Sequence, residues 1–373
     1  DKYFQIAPCF RDEDARADRS PGEFYQLDFE MSFATQEDVF RVGEEVLTAT
    51  FEKFAPEGSV VTAAPYPVIS YKQAMLEFGS DKPDLRNPLR IVDVTDFFQR
   101  CTFKPFHGQT VRAIKVSNKM SKGFHEKLLK FATSIGMGGL GYLEVKEDLS
   151  YKGPIDKFIP DDMKAEIREI AGLKAGDTIF FIADKEKQAA LYAGQLRNEL
   201  GQRLDLLEKN AYRFCFINDF PMYEYDEEQK KIIFTHNPFS MPQGGLEALT
   251  TKDPLELLAY QYDIVCNGVE LSSGAVRNHN LDIMVKAFEI AGYTEEDLKE
   301  KFGALYNAFQ YGAPPHAGMA PGVDRMIMLL RNEENIREVI PFPMNGNAQD
   351  VMCGAPNEVS EMQLREVHIK VRK

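Results

Sequence analysis

Two acidic residues, Asp263 and Glu270, flank an Asn-Gly dipeptide at 267–268 that is typical of a two-residue β-hairpin turn. The turn predicts three cross-strand pairs: Cys266 with Val269, Val265 with Glu270, and Asp263 with Ser272. Because paired residues share a face, the two carboxylates become diagonal neighbours, and they repel each other unless a cation lies between them. The pair therefore indicates either a Mg²⁺ site completed by phosphate groups or two solvated acids on an exposed face.

The first 33 residues combine strand patterns with a highly charged loop. The run from Tyr3 to Phe10 is apolar and predicts a buried strand, and Pro21-Gly22 marks the loop that follows. Beyond the loop, apolar residues alternate with a second row that begins with an aromatic residue and is otherwise polar: Phe24, Gln26, Asp28, Glu30 and Ser32. This alternation predicts a second strand that buries one face. Its other face lines a polar site beside the loop arginines or is simply solvated.

Three segments resemble one known family. The sequence FRDEDARADR at 10–19, followed by EFYQLDFEMSF at 23–33, resembles motif 2 of the class II aminoacyl-tRNA synthetases of the bacterial aspartyl type. The segment GMAPGVDR at 318–325, followed by an apolar run, resembles motif 3 of the same family. The loop GSDKPDLR at 79–86 is also similar to the bacterial aspartyl enzymes, which implies that it flanks the active site. The resemblance extends over nearly the whole chain.

The resemblance implies a site for ATP, Mg²⁺ and L-aspartate. The implied ATP-binding residues are Arg11, Asp12, Glu13, Phe24, Glu270, Gly322, Val323, Asp324 and Arg325. The implied aspartate-binding residues are Arg11, Asp28, His236 and Arg277, and the implied metal ligands are Asp263 and Glu270. Arg11 and Arg325 would be catalytic: Arg11 on the α-phosphate, and Arg325 on the γ-phosphate and against adenine, opposite Phe24. Asp28 would receive the substrate ammonium group.

Arg277 is at an odd spacing from Glu270, so regular pleating would direct the two side chains to opposite faces. A bulge in the Ser-Ser-Gly segment at 272–274 would restore Arg277 to the site face. In the family, the matching arginine holds the side-chain carboxylate of aspartate. A planar guanidinium suits this role because it pairs bidentately with a carboxylate.

Length and composition indicate an ordinary globular protein of two domains: 373 residues, 44% hydrophobic and 27% charged. The net charge of −14 argues against unselective coating of nucleic acid. The five cysteines form no CxxC pair, which indicates free thiols in a reducing compartment. We find neither a bilayer-spanning apolar run nor an amino-terminal signal pattern, so we expect a cytoplasmic protein.

The predicted fold is α+β: an antiparallel class II sheet of six or seven strands flanked by helices, with an inserted α+β domain. The predicted domains are residues 1–102 (core with motif 2), 103–210 (inserted) and 211–373 (core with motif 3). Predicted helices span residues 36–54, 124–135, 161–171, 185–207 and 294–310, the last opened by a Thr294/Asp297 cap. Predicted strands span 111–116, 141–145, 177–183 and 212–217. We expect the chain to be a fragment that lacks motif 1 and an anticodon-binding domain.

The implied function is that of an aspartate–tRNA ligase, a homodimer when full length. L-Aspartate would react with ATP to give aspartyl-adenylate, and the aspartyl group would move to the 3'-terminal adenosine of tRNA(Asp), or also of tRNA(Asn). Two alternatives stay open: a related adenylate-forming enzyme with an acceptor other than tRNA, and a non-catalytic binding module. Loss of Arg11, Glu270 or Arg325 would be expected in a binding module, yet all three are present.

Overall fold

The computed structural model describes residues 1–11, 14–20, 22–117 and 120–372. They form two compact units. The smaller unit consists of Asp1–Met31 and Gly318–Lys373, and the larger unit is Ser32–Ala317. The domain limits predicted near residues 102 and 210 both lie within the larger unit, and they stay a prediction.

Strands occur in both units. In chain order they are β1 (Lys2–Arg11), β2 (Gly22–Ser32), β3 (Val60–Val61), β4 (Val68–Ser70), β5 (Ile91–Asp93), β6 (Thr110–Val116), β7 (Gly141–Val145), β8 (Tyr151–Lys152), β9 (Thr178–Asp184), β10 (Ala211–Tyr212), β11 (Phe214–Asn218), β12 (Phe220–Pro221), β13 (Tyr223–Asp226), β14 (Lys231–Phe234), β15 (Leu258–Ala259), β16 (Gln261–Cys266), β17 (Val269–Val276) and β18 (His316–Met319).

The helices are likewise given in chain order. They are α1 (Gln36–Phe54), α2 (Tyr71–Glu77), α3 (Thr95–Arg100), α4 (Lys122–Ser134), α5 (Lys164–Ala171), α6 (Glu186–Arg203), α7 (Gly245–Thr251), α8 (Leu281–Ile290), α9 (Glu295–Lys301), α10 (Gly303–Gln310), α11 (Val323–Leu330) and α12 (Glu361–Glu366). Short 3₁₀ turns lie at Lys104–Phe106, Asp156–Phe158, Asp161–Met163, Pro254–Glu256 and Ile336–Val339.

The smaller unit is built on the antiparallel pair β1–β2, in which Cys9 pairs with Phe24. The β2 backbone also contacts the segment before α11, because the Leu27 amide donates to the Pro321 carbonyl oxygen at 2.8 Å. The predicted strand at 3–10 is confirmed, but its predicted burial is wrong. Its large apolar side chains are 58–72% exposed: Tyr3, Phe4, Ile6 and Phe10. An apolar sequence sets the tendency to form a strand, whereas burial depends on what packs against its faces.

The core of the larger unit contains the strand order β17–β16–β11–β4. The first two pairings are antiparallel, as predicted, whereas β4 is parallel to β11. Every residue of β16 is buried. Helix α1 covers this sheet, and its Phe40 ring stacks on Phe216 with ring centroids 3.8 Å apart. The predicted helix 36–54 is confirmed at both ends, with a capping box between Thr35 and Asp38.

A five-stranded module occupies residues 91–203 of the larger unit. Its strands follow the order β5–β6–β9–β7–β8 and all pair antiparallel. Separate apolar clusters lie around Phe181 and around Phe180, neighbours that point to opposite faces of β9. The predicted alternation of helices and strands is confirmed here. The sheet itself begins at Ile91, ahead of the predicted domain limit.

Two predicted helices are wrong in their extent. The helix predicted at 185–207 ends at Arg203. The segment 294–310 forms two helices, α9 and α10, separated at Phe302, whose φ of −128° is not helical. Gly303 follows directly, and glycine lowers helix propensity. The cap is confirmed, since the side chains and backbones of Thr294 and Asp297 bond reciprocally. No helix within the described ranges has the length and apolar character needed to cross a bilayer.

Candidate active site

The β16–β17 hairpin brings the two predicted metal ligands to one face. Val265 pairs with Glu270, as predicted, but Asp263 pairs with Ser273, so the predicted pair with Ser272 is wrong. The register shifts between Val265 and Ile264, which leaves Leu271 as an extra residue in β17. The predicted bulge therefore exists, one residue before the predicted segment. Beyond the bulge, Arg277 is an even number of residues from Ser273, which pairs with Asp263. The alternation of the strand therefore places Arg277 on the same face as Asp263.

Asp263 is a buried acid of the site, with 4% of its surface exposed. The Ser273 hydroxyl, on the residue that pairs with Asp263, donates to Glu270 Oε1 at 3.1 Å. Asp263 Oδ1 is buried and has no hydrogen-bond partner among the described residues. Burial, and after it the Glu270 charge, raise the pKa of Asp263 above its usual range. A buried carboxylate with an unused oxygen, beside a second acid, is held at a cost in free energy.

This arrangement fits a divalent cation that takes its other ligands from elsewhere. A cation would satisfy Asp263 Oδ1 and remove the repulsion from Glu270. Among the described residues, no group of three or more His, Cys, Asp or Glu side chains is placed to hold a metal. The protein would then supply two carboxylates, with water and phosphate oxygens completing the shell, as is usual for Mg²⁺.

Lys82 is a charged residue of this site to which the sequence analysis gave no role. Its Nζ lies 3.3 Å from Glu270 Oε2 and 3.1 Å from Asp81 Oδ2. Burial lowers the pKa of Lys82, but the nearby charges of Asp81 and Glu270 outweigh burial and raise it overall. The signal that could have identified Lys82 was its position in the GSDKPDLR loop. The resemblance of this loop to the bacterial aspartyl enzymes implied that it flanks the active site. The contact between this loop and Glu270 agrees with that expectation.

His236 and Arg277 lie in the larger unit as well. His236 is exposed overall, and its ring packs edge-on against Phe220, with ring centroids 5.0 Å apart, so part of the ring is shielded from water. Burial lowers the pKa of His236, which favours the neutral imidazole. The Arg277 amide donates to the His316 carbonyl oxygen at 2.9 Å, which ties the end of β17 to β18.

Beside Arg277 are buried polar atoms that the sequence analysis missed. Asn278 is 1% exposed, and both polar atoms of its side chain have no partner among the described residues. The Ser240 hydroxyl is also buried without a hydrogen-bond partner among the described residues. The backbone of Ser240 forms a β-bridge with Arg277. Buried groups of this kind usually bond to water or a ligand.

In the smaller unit, the structure brings Arg11 and Phe24 together. The Arg11 guanidinium carbon lies 5.2 Å from the centroid of the Phe24 ring, within the range of a cation–π contact. Asp28 is half-buried and accepts a hydrogen bond from Gln5 Nε2 at 3.0 Å. Asp12 and Glu13, both predicted to bind ATP, lie outside the described residues.

The motif 3 residues are tied to motif 2 within the same unit. The Asp324 carboxylate accepts the Tyr25 amide at 2.9 Å, and Gly322 forms a backbone bridge with Gln26. Arg325 Nε donates to the Asp18 carbonyl oxygen at 3.2 Å. Arg325 lies in the first turn of α11, as predicted, and Val323 is the first residue of this helix. The two motifs therefore meet, with Asp324 bonded to the β2 backbone.

The comparisons with known proteins agree with the motifs. The family model described as tRNA synthetases class II (D, K and N) matches residues 1–346. The chain belongs to this family. A class II relative, "Aspartate--tRNA(Asp/Asn) ligase" of Zymomonas mobilis, is 58% identical over 378 residues, covering 100% of this chain and 63% of its own length.

Other class II relatives give the same picture. "Aspartate--tRNA ligase" of Streptomyces avermitilis is 55% identical over 375 residues, covering 100% of this chain and 64% of its own length. The chain thus spans less than two thirds of the curated relatives it matches. Among solved structures, "Aspartyl tRNA synthetase from Entamoeba histolytica" aligns with a TM-score of 0.43 at 16% identity, covering 92% of this chain and 47% of that chain.

Proposed function

We propose that this class II chain is the catalytic part of an aspartate–tRNA ligase that uses ATP. The observation that carries the proposal is the buried Asp263 carboxyl group, whose Oδ1 has no partner among the described residues and which lies on the same face of the hairpin as Glu270. Such a pair suits a cation bound together with nucleotide phosphates. The names of the relatives, aspartate–tRNA ligases at 55–58% identity, support the choice of substrate.

In the larger unit, we assign Asp263 and Glu270 to Mg²⁺. When bound, Mg²⁺ would offset the negative charge of the ATP phosphates. Arg277 would hold the side-chain carboxylate of L-aspartate with its guanidinium fork, and an amide in that place would offer neither the charge nor two equal acceptors. His236, neutral because of its lowered pKa, would close over the substrate.

In the smaller unit, we assign Arg11 to the α-phosphate of ATP and to the attacking aspartate, and Asp28 to the substrate ammonium group. Phe24 and Arg325 would stack on the two faces of adenine, and Arg325 would also contact the γ-phosphate. The remaining ATP contacts are assigned to Asp12, Glu13, Gly322, Val323 and Asp324. This role requires the Arg11 guanidinium to leave the Phe24 ring, over which it lies in this structure.

The proposed reaction has two steps. The α-carboxylate of aspartate attacks the α-phosphorus of ATP, forming a P–O bond and releasing pyrophosphate. A hydroxyl of the 3'-terminal adenosine of tRNA(Asp), or also of tRNA(Asn), then attacks the acyl carbon and releases AMP. The protein's contribution is to position the reactants and stabilise charge, since no side chain forms a covalent intermediate.

We also propose that the full-length protein is a cytoplasmic homodimer. The exposed apolar side chains of β1, including Phe4 and Phe10, support a protein contact on this strand. Light scattering on the full-length protein, before and after Phe4→Lys and Phe10→Lys, tests the dimer. A monomer in the unmodified protein would contradict it.

The decisive experiment measures ATP–pyrophosphate exchange by the full-length protein. We expect exchange with L-aspartate and none with L-asparagine, followed by charging of purified tRNA(Asp). Charging of tRNA(Asn) decides whether a second acceptor is used. Asparagine formed from ammonium without tRNA would point to the alternative acceptor, and absence of exchange would contradict the proposal.

A further inference from the structure

The surroundings of Lys82 carry an inference that goes beyond the assigned metal ligands. The Lys82 ammonium group lies between Asp81 and Glu270, at 3.1 and 3.3 Å. The ion pair with Glu270 is sheltered, because the two side chains are 28% and 16% exposed. Asp263 also contributes to the electrostatic environment of Lys82. Lys82 therefore occupies the negative region in which a divalent cation would bind.

The backbone that carries Lys82 is held against helix α6 of the five-stranded module. Gly79 and Gly194 pass so closely that a Cβ added at Gly194 would lie 2.5 Å from the Gly79 carbonyl oxygen. A Cβ at Gly79 would lie 2.2 Å from the Ala190 carbonyl oxygen. Real Cβ atoms cannot approach so closely, so this contact requires glycine on both sides.

Arg197 of α6 fixes the other half of the same loop. It is 1% exposed, and its guanidinium donates to three backbone carbonyl oxygens: Leu89 at 2.7 Å, Asn87 at 2.7 Å and Asp84 at 3.0 Å. The Asn87 side chain returns a hydrogen bond to the Arg197 carbonyl oxygen at 2.9 Å. Residues 79–89 are thus bound to α6 at both ends, with Lys82 between them.

We propose that Lys82 is a built-in counter-ion of Glu270, which a divalent cation bound at Asp263 and Glu270 must displace, and that helix α6 positions it. Two neighbouring acids on one face disfavour each other's ionised form. An ammonium group beside them reduces this repulsion while no metal is bound. A bound cation makes Lys82 a like charge, which releases it from Glu270 and leaves it paired with Asp81. The identity of the cation as Mg²⁺ rests on the proposed function.

The first test titrates Mg²⁺ into the protein without ATP and follows thermal unfolding. Lys82→Met removes the competing charge. We expect it to unfold at a lower temperature than the unmodified protein in EDTA, and to reach half of its Mg²⁺-dependent stabilisation at an about fivefold lower Mg²⁺ concentration. The matched control is Lys187→Met, which removes a surface ion pair with Glu224. It should leave the Mg²⁺ dependence unchanged.

The outcomes of this titration are clear-cut. A half-saturating Mg²⁺ concentration in Lys82→Met within twofold of the unmodified value overturns the counter-ion role. So does the absence of any Mg²⁺ response in the variant. A merely structural lysine would lower the unfolding temperature without moving the Mg²⁺ dependence, so the two readouts separate the roles.

The second test concerns the positioning by α6. Gly194→Ala displaces the loop, and we expect the Mg²⁺ dependence to shift in the same direction as in Lys82→Met. Gly123→Ala is the matched control, because it is also a helical glycine of the module and has no atom within 4 Å of an added Cβ. If Gly194→Ala does not unfold cooperatively, Arg197→Lys replaces it. An unshifted Mg²⁺ dependence in a folded variant overturns the positioning role.

These titrations need neither aspartate nor tRNA. Absence of aspartate-dependent pyrophosphate exchange would therefore contradict the proposed function while leaving the counter-ion inference to be judged by the Mg²⁺ titration. Conversely, normal exchange with an unshifted titration in Lys82→Met would keep the function and reject the counter-ion.

Discussion

At the scale of single residues, Arg277 decides the substrate in the proposed reaction. Replacing it with lysine keeps the charge but removes the two parallel N–H donors that match a carboxylate. We expect Arg277→Lys to lower kcat/KM for aspartate about 100-fold, equivalent to about 3 kcal/mol. The measurement is aspartate-dependent pyrophosphate exchange. Arg331→Lys, at an exposed position, serves as the control, and a near-normal rate in Arg277→Lys would reject the role.

Asp263 makes a separate prediction at the same scale. Asp263→Asn keeps the shape of the side chain and removes a carboxyl group whose ionised form is disfavoured by burial and by Glu270. We expect its stability in EDTA to be equal to or about 1 kcal/mol above that of the unmodified protein, because the asparagine cannot ionise beside Glu270. The stabilisation by Mg²⁺ should disappear. Asp282→Asn, an exposed acid of α8, should retain it. A full Mg²⁺ response in Asp263→Asn would exclude this residue as a ligand.

The sequence allowed part of this site to be predicted. The Asn-Gly turn at 267–268 correctly placed Glu270 opposite Val265, because turn chemistry sets the register of the nearest pairs. It could not place the bulge at Leu271, since a leucine between Glu270 and Ser272 carries no signal of irregular pairing. Lys82 was missed for another reason: its partner Glu270 is distant in sequence, and folding alone brings them together.

At the scale of elements, the contact between α6 and the loop at 79–89 should contribute strongly to stability. Arg197→Met would leave three backbone carbonyl oxygens without their donor, and burial makes each loss costly. We expect the free energy of unfolding to fall by about 3 kcal/mol, measured by urea titration. Arg203→Met removes a single, partly exposed ion pair with Glu199 on the same helix and strips no backbone carbonyl of its donor, so it should cost about 1 kcal/mol or less. Equal losses in the two variants would contradict the argument.

The predictability of an element depended on where its signals lie. Helix α1 was predicted at both ends because its apolar periodicity is local to residues 36–54, and the structure adds a capping box at Thr35 that the prediction did not use. The break between α9 and α10 was missed, since the apolar spacing continues through Phe302 and only a single glycine marks the interruption. Burial of β1 was overestimated because the sequence of a strand does not determine which other elements pack against its faces.

At the scale of the whole molecule, the reactivity of the five cysteines reports which parts of the chain are buried. All five are free thiols, as predicted. Three are buried, and burial raises the pKa of Cys101 to about 11, that of Cys215 to about 12, and that of Cys266 well above its ordinary value. A raised pKa means that the neutral thiol persists at pH 8, and the neutral form is a poor nucleophile. These thiols should therefore be both shielded and unreactive in the folded chain.

Cys9 is half-buried and Cys353 is exposed. The Asp350 carboxylate raises the pKa of Cys353, so its reaction should accelerate as the pH increases from 7 to 9. We expect Ellman's reagent at pH 8 to label at most two thiols in the folded protein and all five in guanidinium chloride. Cys353→Ser should remove the faster phase and leave the slower one. Rapid labelling of three or more thiols without denaturant would mean that the sheets around Cys215 and Cys266 open far more readily than their complete burial indicates.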